Sequence, residues 1–506
     1  MLRRPPYPAT YGDKPGHDTQ SQQIRTTAMD PTFLPAAALA DMVRAGKLGA
    51  LELLDHFIAR TERLDPRINA VVVRDFDRAR ERARELDSRP DKSAPLFGVP
   101  TTVKESFDVA GLPTTRGHAE LKSRPIEITT IAVRRLEAAG AVVFGKTNVP
   151  VDLADWQSYN PVYGTTSNPW NTAYTPGGSS GGSAAALAAG LTGLEIGSDI
   201  GGSIRVPAHF CGVYGHKPTF GLVPNYGDPA LSAAAGTDIS VSGPMARSAA
   251  DLAAALDVLA GPDPDESGLT LNLPAPGFSS LKELRVAIWA EQPGQTTDSE
   301  TVAALHALAD GLERQGATVS RTARPPFDPE EAFHLYLRLL DTAWSIRMPD
   351  AAVAARRARL ATLPETANSA DDIMLRTVGM EHRTWLGLNE QRFRWRRAWT
   401  AFFKEWDVLL CPAFGTAALP HRQDGDPWQR RIAIEGREIA YSDLLFWPGL
   451  TGGFHLPATV APLGFTEAGL PLGMQIAGPI YGDRTTIAAA ALLEQAWLGF
   501  TPPGGW

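Results

Sequence analysis

Two serines in glycine-rich turns and one lysine behind an apolar run are the residues of this chain best suited to acyl-transfer chemistry. Ser179 stands in Gly177-Gly178-Ser179-Ser180-Gly181-Gly182-Ser183, and Ser203 in Gly197-Ser198-Asp199-Ile200-Gly201-Gly202-Ser203-Ile204-Arg205-Val206-Pro207. Lys104 lies upstream, in Phe97-Gly98-Val99-Pro100-Thr101-Thr102-Val103-Lys104-Glu105-Ser106. Serine is a poor nucleophile near neutrality and needs a base beside it. The histidines nearest the turns, His209 and His216, have no evident acidic residue to orient them, and no Gly-x-Ser-x-Gly elbow surrounds Ser203. A lysine held neutral is another base. Free lysine titrates at about 10.4, and burial lowers that by several units. Val99 and Val103 before Lys104 suit a strand that buries its last residue. Gly201 and Gly202, lacking Cβ, let the backbone turn the N–H groups of Ile200, Gly201, Gly202 and Ser203 toward a developing oxyanion. A Gly-Ser run alone would also suit a flexible linker or a phosphate-cradling loop. Here the run continues into Ala184-Ala185-Ala186-Leu187-Ala188-Ala189, unlike a linker, and it lacks the Gly-Lys-Ser/Thr of a Walker loop.

These turns, with Lys104 and Arg205-Val206-Pro207-Ala208, together resemble the amidase signature family, whose members hydrolyse amides with a Ser-Ser-Lys triad. The resemblance spans about residues 35–495 and includes Gly145-Lys146-Thr147-Asn148, Thr166-Ser167-Asn168-Pro169-Trp170-Asn171, Gly215-His216-Lys217-Pro218-Thr219, Ser242-Gly243-Pro244-Met245-Ala246-Arg247 and Leu470-Pro471-Leu472-Gly473-Met474-Gln475. It implies an α/β fold with a mixed central β-sheet of many strands sandwiched by helices. It implies that Ser203 is the nucleophile and that Ser179 relays protons between it and Lys104, across a cis Gly178–Ser179 peptide. Ile200, Gly201, Gly202 and Ser203 would form the oxyanion hole, with Ser180, Asp199 and Arg205 in support. Trp156, Gln157, Phe446 and Trp447 would lie near the acyl and leaving groups, where their aromatic character suits an aryl or otherwise apolar substrate.

The implied activity is hydrolysis of a carboxylic amide to acid and amine or ammonia through an acyl-Ser203 intermediate, with ester or carbamate as side substrates. Urethane hydrolysis on the same triad is one alternative. Another is the glutaminase subunit of a tRNA-dependent amidotransferase, which carries Ser-Leu-Asp-Gln before Ile-Gly-Pro where this chain reads Thr237-Asp238-Ile239-Ser240-Val241-Ser242-Gly243-Pro244. Leu222 after Phe220-Gly221, and the bulky turn Gly453-Phe454-His455-Leu456-Pro457, also depart from the family pattern and bear on substrate preference. No metal or other cofactor is implied, and no metal-ligand spacing appears.

The elements that must position these residues are legible in outline. Leu96–Thr102 and Ala141–Phe144 are short apolar runs that suit buried strands. Ile131–Ala139 between them reads as a helix ended by Gly140. Strand, helix, strand predicts a parallel α/β unit. Ala36 to Leu86 is helical in pattern, Ser183–Ala189 a short helix of small residues, and His455 to Gln475 a return of short apolar segments to the sheet. About residues 281–440 read as a helical insertion that serves the substrate pocket, with its arginine runs Arg356-Arg357-Ala358-Arg359 and Arg392-Phe393-Arg394-Trp395-Arg396-Arg397 as solvated helix faces. Residues 31–506 are expected to form one domain. Residues 1–30, polar and holding Pro5, Pro6, Pro8 and Pro15, are expected to be a disordered extension, with Met29 as a second candidate start.

Composition narrows the function classes. With 506 residues, 43% hydrophobic and 21% charged, the chain can bury an ordinary core. A net charge of −8 without a long basic run argues against nucleic acid. Met1-Leu2-Arg3-Arg4 is followed by no apolar run, which makes a poor signal peptide, and no stretch of about 18 apolar residues suits a membrane span. Two cysteines, Cys211 and Cys411, read as buried free thiols of a reducing compartment. A cytoplasmic enzyme acting on a small-molecule amide is the expectation, with a homodimer left open.

Overall fold

The computed structural model describes residues 30–224, 236–266, 268–346 and 348–506. The segment expected to be disordered at residues 1–30 lies, but for Asp30, outside the described residues.

The predicted strand–helix–strand unit is present. Pro100–Lys104 and Val142–Thr147 pair in parallel, and every residue of both is buried; the first strand begins four residues later than the apolar run Leu96–Thr102 predicts and buries Thr101, Thr102 and Lys104. The crossing helix is Ile131–Ala138. Gly140 follows it at φ +93°, and a Cβ there would stand 2.8 Å from Phe97 Cα, so both conformation and space call for glycine. Leu194–Asp199 adds a third parallel strand on the other side of Pro100–Lys104.

Among the described residues, eleven strands form one mixed sheet. Its order is Val71–Arg74, Val142–Thr147, Pro100–Lys104, Leu194–Asp199, Val241–Ala246, Tyr214–Lys217, Ala458–Phe465, Pro471–Ala477, Val408–Pro412, Arg285–Ile288 and Thr318–Ser320. The expected return of the C-terminal segment to the sheet is seen in Ala458–Phe465 and Pro471–Ala477, which sit mid-sheet.

Alternate strand residues bury into two cores. Leu410 faces one, and its neighbours Leu409 and Cys411 face the other. The first core is covered by helices Ala36–Arg44, Ala50–Leu64, Phe76–Ser88, Ala249–Leu259, Ser299–Arg314 and Asp483–Ala496. The second is covered by Pro329–Ser345, His382–Glu405 and Phe446–Gly452. Cys211 and Cys411 are buried and unbridged. No helix among the described residues is long and apolar enough to cross a membrane.

The structure corrects two expectations. The segment at about 281–440 is not wholly helical, because Arg285–Ile288, Thr318–Ser320 and Val408–Pro412 belong to the main sheet. Their runs are too short to show a strand period beside long amphipathic helices. The arginines of His382–Glu405 are not all solvated either. Arg392 is buried and donates to Asp238 at 2.7 Å and to His455 at 3.1 Å.

Candidate active site

Lys104 ends its strand with a wholly buried side chain. Its Nζ lies 2.6 Å from Ser179 Oγ, 3.0 Å from Ser198 Oγ and 3.2 Å from Ser198 O. Burial lowers its pKa to about 7, against the upward pull of Asp199 and Glu195. The amine is therefore about half neutral near pH 7. Glu195, on the neighbouring strand, is also wholly buried, and burial raises its pKa to about 8 even though Thr102 Oγ1 donates to it at 2.5 Å.

Ser179 is held by close packing of backbone on backbone. The Gly178–Ser179 peptide is cis. A Cβ on Gly178 would collide with the backbone of Asp155, Trp156 and Gln157, and one on Gly182 with the backbone of Thr147 and Asn148. The next residue, Ser180, donates its N–H to Ser203 O at 3.1 Å, which brings the two serine turns together. Its hydroxyl makes only a long contact, 3.4 Å, to Ser198 O, so Ser180 supports the turns chiefly through its backbone.

The second turn joins strand Leu194–Asp199 to helix Arg205–Cys211. Asp199 organises it by accepting from Gly202 N at 2.9 Å and Ile204 N at 3.0 Å. Burial would raise its pKa, but Arg205, together with Lys217 and the Ile204 N–H, outweighs that and holds it at about 2. Arg205 is itself wholly buried. It grips Asp199 through Nε and Nη2 at 2.9 and 2.7 Å, and its Nη1 reaches Pro448 O, Thr451 Oγ1 and Gln475 Oε1 at 2.7–2.8 Å. The structure thus places Asp199 and Arg205 together beneath the Ser203 turn. The oxyanion set narrows, however. The Gly202 N–H points at Asp199 and serves the turn, leaving those of Ile200, Gly201 and Ser203 as candidate donors.

Ser203 opens into a cleft that Trp156 also lines. The other pocket assignments do not hold. Gln157 is tied to the backbone of Arg422, donating to its carbonyl at 2.5 Å and accepting from its N–H at 2.9 Å. Phe446 and Trp447 are buried in the second core, where Trp447 Nε1 donates to Thr297 Oγ1 at 2.9 Å and Phe446 packs on Phe333 and Trp289. The cleft is lined instead by Leu340 and Trp344 of helix Pro329–Ser345, by Trp428, Leu445 and Asp155. Asp155 is paired with Arg430 at 3.1 Å and accepts from Tyr441 Oη at 2.9 Å. A helical period could have singled out Leu340 and Trp344 as sharing one face. Nothing in the sequence around Trp428 points to the cleft. The two departures from the family pattern lie elsewhere: Leu222 is buried in the first core, and His455 stacks on Phe220 at 4.3 Å. No group of three or more His, Cys, Asp or Glu among the described residues could hold a metal ion.

Comparison with known proteins bears on the fold and the family. A family model described as Amidase matches residues 52–487. A glutamyl-tRNA(Gln) amidotransferase subunit of Synechococcus sp. (strain CC9605) is 34% identical over 493 residues, covering 92% of this chain and 97% of that protein. Among solved structures, a bacterial aryl acylamidase of the amidase signature enzymes superposes with a TM-score of 0.78 at 25% identity, covering 94% of this chain and 99% of that one. A 6-aminohexanoate cyclic dimer hydrolase gives a TM-score of 0.74 at 27% identity, covering 94% and 99%. The matched length and the mixed eleven-stranded sheet settle the question of kinship: the chain belongs to the amidase signature family and is an amide-hydrolysing enzyme.

Proposed function

We propose that the chain is a self-sufficient serine amidase for amides whose acyl or amine part is aromatic or otherwise apolar. In this reading neutral Lys104 takes a proton from Ser179 as Ser179 takes one from Ser203. Ser203 Oγ adds to the carbonyl carbon, and the oxyanion rests on the N–H groups of Ile200, Gly201 and Ser203. Ser179 then passes its proton to the leaving amine and recovers one from Lys104, the C–N bond breaks, and an acyl-Ser203 ester remains with Lys104 neutral again. Water, deprotonated through the same relay, adds to the ester and releases the acid. The observation that carries the chemistry is the buried Lys104 at 2.6 Å from Ser179, with a pKa of about 7.

The lining of the cleft supports the substrate class. Trp156, Trp344 and Trp428 line the cleft beside Ser203 together with Leu340 and Leu445. Esters and carbamates share the attackable carbonyl, so they are expected as secondary substrates.

A second reading, the glutaminase subunit of a tRNA-dependent amidotransferase, is favoured by the 34% identity with the Synechococcus amidotransferase protein over nearly the whole chain. Against it stands the lining of the cleft. Free glutamine carries an α-carboxylate that calls for an unpaired cation, whereas the charged side chain in this lining, Asp155, is already matched by Arg430 and the rest is mostly apolar. The test is to incubate the purified chain, alone, with 4-nitroacetanilide, a 4-nitrophenyl carbamate and glutamine, beside a Ser203→Ala variant. Anilide hydrolysis lost in the variant supports the proposal, and carbamate turnover widens it to urethanes. Turnover of glutamine alone replaces it with the amidotransferase reading.

A further inference from the structure

We propose that Tyr336 is a positioning residue of the oxyanion turn, through which helix Pro329–Ser345 sets the direction of the Gly201 N–H. The inference rests on the serine amidase reading above and deepens it.

A planar trans peptide carries its C=O and N–H on opposite edges, so anchoring the carbonyl aims the N–H. Two successive peptides of the turn are anchored in different ways. The Gly201–Gly202 peptide is fixed at both edges: Trp156 Nε1 donates to Gly201 O at 2.8 Å, and Gly202 N donates to Asp199 at 2.9 Å. The Ile200–Gly201 peptide is held at its carbonyl edge by Tyr336 Oη, which donates to Ile200 O at 3.1 Å. Its other edge is the Gly201 N–H, one of the three candidate oxyanion donors. Gly201 lacks the side chain that would restrict its backbone, so an external hydrogen bond is the natural means of fixing this peptide.

Tyr336 is itself rigidly placed. It is wholly buried, and its ring fills the space above Gly449 and Gly453, where any Cβ would run into it. Its helix also carries Leu340 and Trp344, one and two turns further along the same face, and both line the cleft beside Ser203. One helix therefore touches the substrate space at two positions and the oxyanion turn at a third. A substrate that shifts this helix changes the aim of the Gly201 N–H as well. Poor fit at Leu340 and Trp344 should then appear in kcat and not only in KM.

Tyr336→Phe tests the inference, because it keeps the ring and its packing and removes only the hydroxyl. The reaction to follow is phosphonylation of Ser203 by a fluorophosphonate, since the phosphoryl oxygen of that probe occupies the same site as an amide oxyanion and no natural substrate need be known. Losing a direct oxyanion donor costs on the order of 10²–10³ in rate, and loosening one that stays in place is expected to cost less, about 5- to 50-fold. The expected result is a labelling rate lowered by that factor, with the midpoint of its pH profile unchanged and a cooperative unfolding transition kept at a modestly lower melting temperature, since Ile200 O loses a buried donor. Labelling at the wild-type rate overturns the inference and leaves the serine reading intact. So does a loss accompanied by a displaced pH midpoint, which would assign Tyr336 to the proton relay, or by loss of the cooperative transition, which would assign it to packing. A wild-type chain that is not labelled, or a Ser203→Ala chain that is, removes the serine reading and the inference with it.

Discussion

A lysine serves as a base only if it can lose its proton, and Lys104 is prepared for that by burial. In the proposed relay the neutral amine accepts the Ser179 proton, so a pKa of about 7 predicts an amide-hydrolysing rate that rises with pH through that value. Lys104→Ala is expected to slow acylation by about 10²–10⁴-fold, the usual worth of a general base, and to abolish the limb near pH 7. A near-normal rate in that variant, measured by stopped-flow release of 4-nitroaniline across pH 5–9, would remove Lys104 from the mechanism. Glu195 gives a complementary readout in stability. Its folded pKa, about 8, is raised above the usual 4.5, so the folded state binds more protons than the unfolded chain between those values. Stability from this group is therefore full below about pH 4.5 and is lost as pH rises to about 8. Glu195→Gln cannot ionise. Its stability relative to the parent is expected to grow from pH 5 to 8 and then level off, which urea titrations at fixed pH would show. A constant difference would mean that Glu195 is already ionised in the fold.

At the scale of elements, the contact between helices Pro329–Ser345 and Phe446–Gly452 is set by a glycine–tyrosine fit. The Tyr336 ring lies where a Gly449 side chain would begin, with its Cγ at 3.0 Å from the ideal Cβ position and other ring atoms nearer. Gly449→Ala must push the helices apart or turn the ring, at an expected cost of about 1–3 kcal/mol in a close-packed interior. A lowered urea midpoint with an unchanged slope is the outcome to look for. No change would mean that the interface gives way freely. The same pair of helices shows what the sequence could and could not say. The serine turns and the strand before Lys104 were legible because their requirements are local: glycines where no side chain fits, an apolar run where both faces are covered. The cleft was not, because its walls come from segments that meet only in the folded chain. Phe446 and Trp447 looked like pocket residues, but the short helix that carries them is buried all round, so aromatic character could not tell cleft from core. Trp344 and Trp428 are far apart in sequence and meet edge to face at 5.5 Å. Gly202 was misassigned for a related reason. Its freedom to turn an N–H was plain, but the competing acceptor, Asp199, could be placed only by the geometry.

At the scale of the whole molecule, the sheet order shows that the C-terminal segment joins the two ends of the sheet. Ala458–Phe465 and Pro471–Ala477 lie between Tyr214–Lys217, on the side of the serine turns, and Val408–Pro412, on the side of the helical segment. Gln475 of this segment also accepts from the buried Arg205 at 2.7 Å, so the last strand reaches the support of the oxyanion turn. A chain ending at His455 would split the sheet in two and expose the unpaired edges of Tyr214–Lys217 and Val408–Pro412. It would also leave Arg205 short of a buried partner, and breaking buried polar networks is strongly destabilising. The expected outcome is loss of the cooperative unfolding transition, and aggregation of what is expressed. Removing continuity elsewhere should be far milder. Residues 362–369, between helices Asp350–Ala361 and Ala370–Leu375, are mostly exposed and belong to no strand, so a single proteolytic cut there should leave a folded enzyme with its pH profile intact. The shortened and the nicked chain together make the comparison decisive. If the shortened chain folded cooperatively while the nicked one did not, the sheet would not be the unit that holds Lys104, Ser179 and Ser203 in register.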